Sequence, residues 1–378
     1  IRKIRSNMQR DCVSTESILR KGWRVVRFWE SDVRKDLKGC IEMTLKAARV
    51  DVEPTPFTII PEKSFAEFFA GIGLMRLALE KQGWTPAYAN DIDPKKREMY
   101  AANFGDAERH YHLADIHDIA PESVPALTLA TASFPCNDLS LAGARKGLAG
   151  KQSSAFWGFI RILDAMGDRK PPLALLENVP GFLTSAKGAD FRDALVALNG
   201  LGYDVDAFIL DAVNFVPQSR QRLFVVGILS EDLDGREEKP PPSSDVRPKA
   251  LADFIAHHPE IRWKIRPLPD PPRGRGKLVD VLERLSDDAP EWWNERRAEY
   301  LLNQMSARHR AQAQEMIDGA RWSYATVFRR VRKGKSMAEL RTDGIAGCLR
   351  TPRGGSARQI LFMVQGGRSR RGATGTAH

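Results

Sequence analysis

Glu67-Phe68-Phe69-Ala70-Gly71-Ile72-Gly73 runs from an apolar, strand-like segment into a glycine turn, and Leu74 to Lys81 behind it has the spacing of an amphipathic helix closed by Gly83. Glycine at a strand-to-helix junction lets the backbone approach a ligand closely, and the N-terminus of the following helix favours polar or anionic groups. Alone the turn says little. Asn90-Asp91-Ile92-Asp93 lies about 20 residues further on, at the end of a second predicted strand, where an acidic side chain can accept both hydroxyls of a ribose. Asp115 ends the next predicted strand. Two acids and a glycine turn at three strand ends describe a nucleoside-cofactor site. A dinucleotide would want a further glycine where Leu74 and Met75 stand, so nicotinamide is the lesser reading.

Around this stretch, from Ser64 to about Leu229, the apolar runs Phe65 to Phe69, Leu127 to Ser133, Leu173 to Leu176 and Leu223 to Val226 alternate with helical patterns. Such alternation predicts an α/β fold, a doubly wound, mostly parallel sheet with helices on both faces. Two proline-rich stretches, Asp51 to Pro61 and Glu237 to Pro248, read as linkers. They divide the chain into an N-terminal segment 1–50, a linker 51–62, a cofactor-binding domain 63–235, a smaller irregular region 236–366 rich in arginine, and a low-complexity tail 367–378 expected to be disordered.

The 378 residues are 42% hydrophobic and 28% charged, an ordinary globular composition that excludes a disordered or collagen-like chain. No apolar run reaches the ~18 residues of a membrane span, and no signal peptide is recognised, so the expected setting is the cytoplasm. The four cysteines are too scattered for a zinc site or a disulfide framework, and no metal is expected. The formal charge of +10 is unevenly placed: residues 1–50 hold 13 basic and 6 acidic groups, residues 321–378 hold 13 and 2, and the middle is left at −8. Basic ends on an acidic middle point to a polyanion partner.

The second signal is Ser133-Phe134-Pro135-Cys136-Asn137-Asp138-Leu139-Ser140, directly after an apolar run. A cysteine on a proline-stiffened loop at a strand's C-terminal end sits at the sheet edge that holds the cofactor, where a thiol of lowered pKa is a nucleophile. Leu175-Leu176-Glu177-Asn178-Val179-Pro180 ends another strand in a carboxylate, and Gln218-Ser219-Arg220-Gln221-Arg222 precedes a further strand.

These five motifs, in this order between Ser64 and Gly227, resemble the DNA cytosine-5 methyltransferase family. The resemblance implies a Rossmann-like domain that binds S-adenosyl-L-methionine. It places Phe69 against the adenine, Gly71 and Gly73 at the turn, Asp91 on the ribose, Asp115 on the adenine amino group and Glu67 near the methionine end, with Ile72, Ile92 and Pro135 also lining the cofactor. It implies that Cys136 adds to C6 of a flipped cytosine, that Glu177 hydrogen-bonds N3 and the amino group, and that Arg220 and Arg222 orient the base and a neighbouring phosphate. Residues 236–366 fall where the family has its target-recognition region, with Gly344-Ile345-Ala346 to Gly354-Gly355 resembling its glycine-containing end. The implied partner is double-stranded DNA, bound by a monomer, with a cognate restriction endonuclease acting separately.

Three features depart from the family pattern. Asn137 stands where glutamine is usual. After Gln365 neither of the family's closing motifs follows, a Pro-Arg-Glu helix and a returning Gly-Asn segment, so the tail reads as a frameshifted or truncated frame and the expectation is an incomplete sheet with weak cofactor binding. Asn7-Met8-Gln9-Arg10-Asp11 and Gly22-Trp23-Arg24-Val25-Val26-Arg27-Phe28-Trp29-Glu30 resemble the C-terminal part of a very-short-patch-repair mismatch endonuclease, whose catalytic residues have no counterpart in this sequence. Two other readings accompany the main one: a catalytically silent DNA-binding remnant and a cytosine-5 methyltransferase of the tRNA-modifying branch.

Overall fold

The computed structural model describes residues 26, 28, 30–49, 63–135, 155–230, 240–272, 276–286, 288–332, 334–349, 359–364 and 373–376. The chain divides into two units, 1–59 and 60–378. In the first, helices α1 (Glu30–Lys35) and α2 (Leu37–Arg49) are separated by Asp36, whose carboxylate accepts the Gly39 N–H at 2.9 Å. Most of the endonuclease-like segment lies outside the described residues.

The second unit is built in chain order from β1 (Ser64–Phe68), α3 (Leu74–Glu80), β2 (Thr85–Asp91), α4 (Pro94–Asn103), β3 (Tyr111–Leu113), β4 (Leu129–Ala132), α5 (Ala155–Ala165), β5 (Leu173–Asn178), α6 (Ala189–Gly200), β6 (Tyr203–Asp211) and β7 (Gln221–Leu229). The strands form one sheet in the order β3-β2-β1-β4-β5-β7-β6, with β7 antiparallel to both neighbours and the other pairs parallel. All four predicted apolar runs are strands. The fold is the expected doubly wound, mostly parallel sheet. The chain leaves β1 for β2 on one side and reaches β4 on the other, so the strand order reverses at β1, and the crevice at the strands' C-terminal ends opens there. All seven strands come from residues 64–229.

Alternation along the strands divides the core. Ala66, Phe68 and Tyr88 enter a large cluster with Phe156, Phe159 and Ile162 of α5 and Phe191, Leu195 and Leu198 of α6. Ala89 turns the other way, into a smaller cluster with Tyr100, Ala107 and Tyr111. Beyond the second linker, α7 (Lys249–His257) sends Leu251 and Ile255 back into the large cluster, and Val205 exchanges main-chain hydrogen bonds with Arg262 and Lys264. Arg247 and Asp206, both buried, form an ion pair at 2.8 Å that fixes this return.

The region expected to be irregular is so only in part. Helices α8 (Glu295–Asn303) and α9 (Ala307–Asp318) accompany an antiparallel sheet, β11-β10-β8-β9, of β8 (Ser323–Arg332), β9 (Lys335–Arg341), β10 (Ile360–Val364) and β11 (Ala373–Thr376). Leu301, Val327, Ala338, Leu340 and Phe362 form its own small core. The arginines of β8 obscure the strand, because only Ala325 and Val327 supply its apolar alternation. Within the tail expected to be disordered, Ala373–Thr376 pairs with Ile360–Met363. Among the described residues no helix is long and apolar enough to cross a membrane.

Candidate active site

Register places the site. Phe68, Asn90, Ala132 and Leu176 pair across β1, β2, β4 and β5, so the next row along holds Phe69, Asp91, Ser133 and Glu177. Four of the five sequence motifs therefore meet at one sheet edge.

The turn after β1 bends through alternate left-handed residues, Phe69 (φ +59°), Gly71 (+58°) and Gly73 (+84°). Ala70 N–H donates to Asn90 O at 2.8 Å and Gly71 N–H to Asp91 Oδ2 at 2.9 Å, which ties the turn to the end of β2. The two glycines do different things. A Cβ on Gly73 would lie 2.4 Å from the Phe104 ring and 3.0 Å from Tyr100, so Gly73 lets α3 pack onto α4. A Cβ on Gly71 would meet nothing nearer than the Phe69 carbonyl at 3.9 Å, so Gly71 leaves open space for a close approach.

Asp91 is buried, and besides Gly71 it accepts the Asp93 N–H at 3.0 Å and is paired with Lys96 at 3.2 Å. Lys96 is itself exposed and can turn to solvent. Asp115 is half-buried and caps a short 3-10 turn through the His117 N–H at 2.9 Å. Arg161 on α5 braces that turn by donating to the carbonyls of Ile116, His117 and Ile119, a role with no signal in the sequence. Phe69 and Ile72 are half-buried, while Ile92 and Pro135 are exposed at the rim.

Glu67 is the least expected member. It is 3% exposed, and its Oε2 has no hydrogen-bond partner. Burial pushes the carboxyl up to about 8, against the opposing pull of the Arg76 and Met75 main-chain amides and the Arg76 charge.

On the other side of the row, Glu177 is held by Arg222 Nε at 2.6 Å. Asn178, buried beside it, donates its amide to Phe134 O at 3.5 Å and so steadies the run that leads through Pro135 to Cys136. Cys136 and Asn137 lie outside the described residues. Arg220 is placed apart from Arg222: it points to the region near the C-terminus, donating to Leu349 O at 3.0 Å and Cys348 Sγ at 3.3 Å. The stretch 217–219 is also joined to Ala346, with Ser219 N–H donating to Ala346 O at 2.9 Å and Ala346 N–H to Pro217 O at 2.8 Å. The described part, 344–349, of the glycine-containing stretch that runs to Gly354-Gly355 thus lies against the arginine motif, and Asp211 accepts the Arg220 N–H at 2.7 Å. Among the described residues no cluster of His, Cys, Asp and Glu is arranged to hold a metal.

A family model for C-5 cytosine-specific DNA methylases matches residues 63–343. The chain belongs to that family. As a C-5 cytosine-specific DNA methylase it is similar to the type II methyltransferase M.NgoBI of Neisseria gonorrhoeae, 35% identical over 162 residues that cover 43% of this chain and 49% of that protein. It is 36% identical to the type II methyltransferase M.HaeII of Haemophilus aegyptius over 166 residues, 44% of this chain and 50% of the other. The chain spans about half the length of the curated relatives it matches. Among solved structures, the S. pombe Dnmt2 methyltransferase is similar over 65% of this chain and 68% of its own, with a TM-score of 0.44 and 23% identity.

Proposed function

We propose that this methylase transfers a methyl group from S-adenosyl-L-methionine to C5 of cytosine in double-stranded DNA, as the modification half of a restriction-modification pair whose endonuclease is a separate protein. The observation that carries the reading is the Glu177–Arg222 pair, in the same row of the sheet edge as Asp91 and the start of the glycine turn.

The chain's residues fit the cofactor. Gly71 leaves open space, Asp91 and Asp115 are carboxylates at the ends of adjacent strands, and Glu67 keeps a buried oxygen without a partner. Phe69 would lie against the adenine, Asp91 would take the ribose hydroxyls in place of Lys96, Asp115 would take the adenine amino group and Glu67 would face the methionine end. When bound, the cofactor supplies an electrophilic methyl on a sulfonium and leaves as S-adenosylhomocysteine.

Cytosine C5 is a poor nucleophile, and the target atom is buried in the base stack. The base swings out at a cost of a few kcal/mol. The Cys136 thiolate adds to C6, and the electron pair displaced towards C5 forms the new bond to the methyl carbon. Glu177 accepts from the exocyclic amino group and shares a proton with N3, which stabilises charge as it develops on the ring, while Arg222 holds the Glu177 carboxyl in place. Loss of the C5 proton to a base then breaks the Cys136–C6 bond by elimination and restores the thiolate. Arg220, aimed at the recognition region, contacts the DNA backbone beside the flipped base.

The test uses the full chain, methyl-labelled cofactor and cytosine-containing duplexes, with Cys136→Ser as control. Label at cytosine C5 that disappears in Cys136→Ser is expected. Transfer that survives the substitution, or no transfer together with no cofactor binding, overturns the proposal.

A further inference from the structure

We infer that Glu67 is carried as a neutral acid in the free chain and ionises against the positive methionine end of the cofactor, so that cofactor binding releases a proton. This rests on the cofactor reading above and deepens it. The geometry comes from the sheet. Glu67 pairs in register with Ala89, and Ala89 with Tyr111, so the three share one row and one face beneath the smaller core cluster. Here the carboxyl is 97% shielded, and its Oε2 is fully enclosed without a partner. An ionised carboxylate left so would pay a large desolvation penalty, whereas a neutral acid does not.

The groups facing Glu67 do not remove that penalty. The amides of Met75 and Arg76 at the start of α3 favour the charged form, and so does the Arg76 guanidinium. That guanidinium is already engaged by Asp106 at 2.7 Å and Glu80 at 2.9 Å. Asp91, at the end of β2, repels a second negative charge. Tyr100 and Tyr111 stay neutral through the working range, the former pushed up to about 12 by burial and the latter raised further by burial. The free site therefore lacks one positive charge. S-adenosylmethionine brings two, an ammonium and a sulfonium, at the end that the glycine turn admits.

With the carboxyl at about 8, roughly 0.9 of Glu67 is protonated at pH 7. An α-amino group of ordinary pKa takes up roughly 0.1–0.2 proton on the same binding event, which leaves a net release of about 0.7–0.8. Isothermal titration of the full chain in two buffers of different ionisation enthalpy counts these protons without any turnover. Three probes separate the charges: S-adenosylmethionine, S-adenosylhomocysteine, which lacks the sulfonium, and 5′-methylthioadenosine, which lacks both charges. Release with the first two alone assigns the ammonium, and release with the first alone assigns the sulfonium; either supports the inference. Affinity for S-adenosylmethionine is expected to fall about tenfold from pH 7 to pH 6. Glu67→Gln, which keeps the shape of the neutral acid, is expected to bind with no proton release and a flat profile over that unit. Binding with less than about 0.2 proton released by the unmodified chain, equal release with 5′-methylthioadenosine, or full release by Glu67→Gln refutes the inference while leaving the cofactor reading intact. No binding of any probe overturns the cofactor reading itself.

Discussion

Replacing Arg76 by Met tests whether the glycine turn is held from behind. Arg76 is 4% exposed and gathers three elements: its guanidinium donates to Asp106 at 2.7 Å, Glu80 at 3.0 Å and the Tyr100 hydroxyl at 3.2 Å, lies 3.1 Å from His110 Nε2, and sits 4.0 Å over the Phe104 ring. Methionine keeps much of the volume and removes the charge. Stripping one partner from a fully buried ion pair costs about 3–5 kcal/mol. Here Asp106 and Glu80 are 40% and 34% exposed and water reaches them again, so each lost contact counts about 1 kcal/mol. The stacking on Phe104 adds about 1 kcal/mol, while Tyr100 and His110 remain 3.2 Å apart and keep each other. The expected loss is about 3 kcal/mol. A second signature follows from His110, which is held below the usual histidine range by burial first and by the Arg76 charge second. A histidine depressed in the folded state remains neutral while the unfolded chain takes up its proton, so stability falls as pH drops through about 6.5. Arg76→Met removes part of the depression, and the acid loss shrinks. Urea unfolding of both chains at pH 7.5 and pH 5.5 measures it: a gap of about 3 kcal/mol at the higher pH, narrowing at the lower. A gap under about 1 kcal/mol, or one that stays constant between the two pH values, refutes the argument.

The two glycines of the turn separate in the same way. Gly73→Ala, with φ +84° and a Cβ 2.4 Å from Phe104, is expected to lower stability by about 2–4 kcal/mol, whereas Gly71→Ala costs only the ~1–2 kcal/mol of the left-handed conformation and instead weakens S-adenosylmethionine binding; thermal unfolding and titration distinguish them. Glu177→Gln is expected to lower kcat by about 10²–10³ in single-turnover methylation while DNA affinity stays within about threefold, and an unchanged rate would remove Glu177 from the chemistry. Arg247→Leu leaves the buried Asp206 carboxylate without its counter-charge and is expected to cost about 3–5 kcal/mol by urea unfolding, most of it recovered when Asp206→Asn is added; failure of the second change to recover stability argues against charge as the cause.

How far the sequence could be read depended on whether a residue's role was local. The strands were legible because short apolar runs buried on both faces cannot be much else, and the glycine turn because Gly71 and Gly73 mark two of its three alternate left-handed positions. Asp91 was found by type and spacing and Glu67 through the family resemblance, but their burial was not visible, since it comes from the row pairing of Glu67 with Ala89 and of Asp91 with Leu113. Arg161 and Asp211 reach partners 45 and 9 positions away, and nothing in their immediate surroundings marks them, whereas Asn178 lies within a sequence motif that does not show its bond to Phe134. The antiparallel sheet after residue 320 was missed for a compositional reason: Arg329, Arg330 and Arg332 follow Val327 so closely that the strand reads as a basic coil.

The same packing that folds the sheet also aims the site. Along β5, Ala174, Leu176 and Asn178 are buried and alternate with Leu175 and Glu177, which turn to the other face. Ala174 and Leu176 belong to the large cluster that also takes Ala66 and Phe68 from β1. A slip of β5 by one residue would bring Glu177 into that cluster and turn Leu176 out, losing about 2 kcal/mol of apolar burial and burying a carboxylate away from Arg222. The face that carries Glu67, Asp91 and Glu177 is therefore fixed by the aliphatic residues between them, and no separate interaction has to bring the three acids to one edge. Conservative changes inside the large cluster, far from any ligand, should then act on cofactor and base contacts together, because they move the strands as a set.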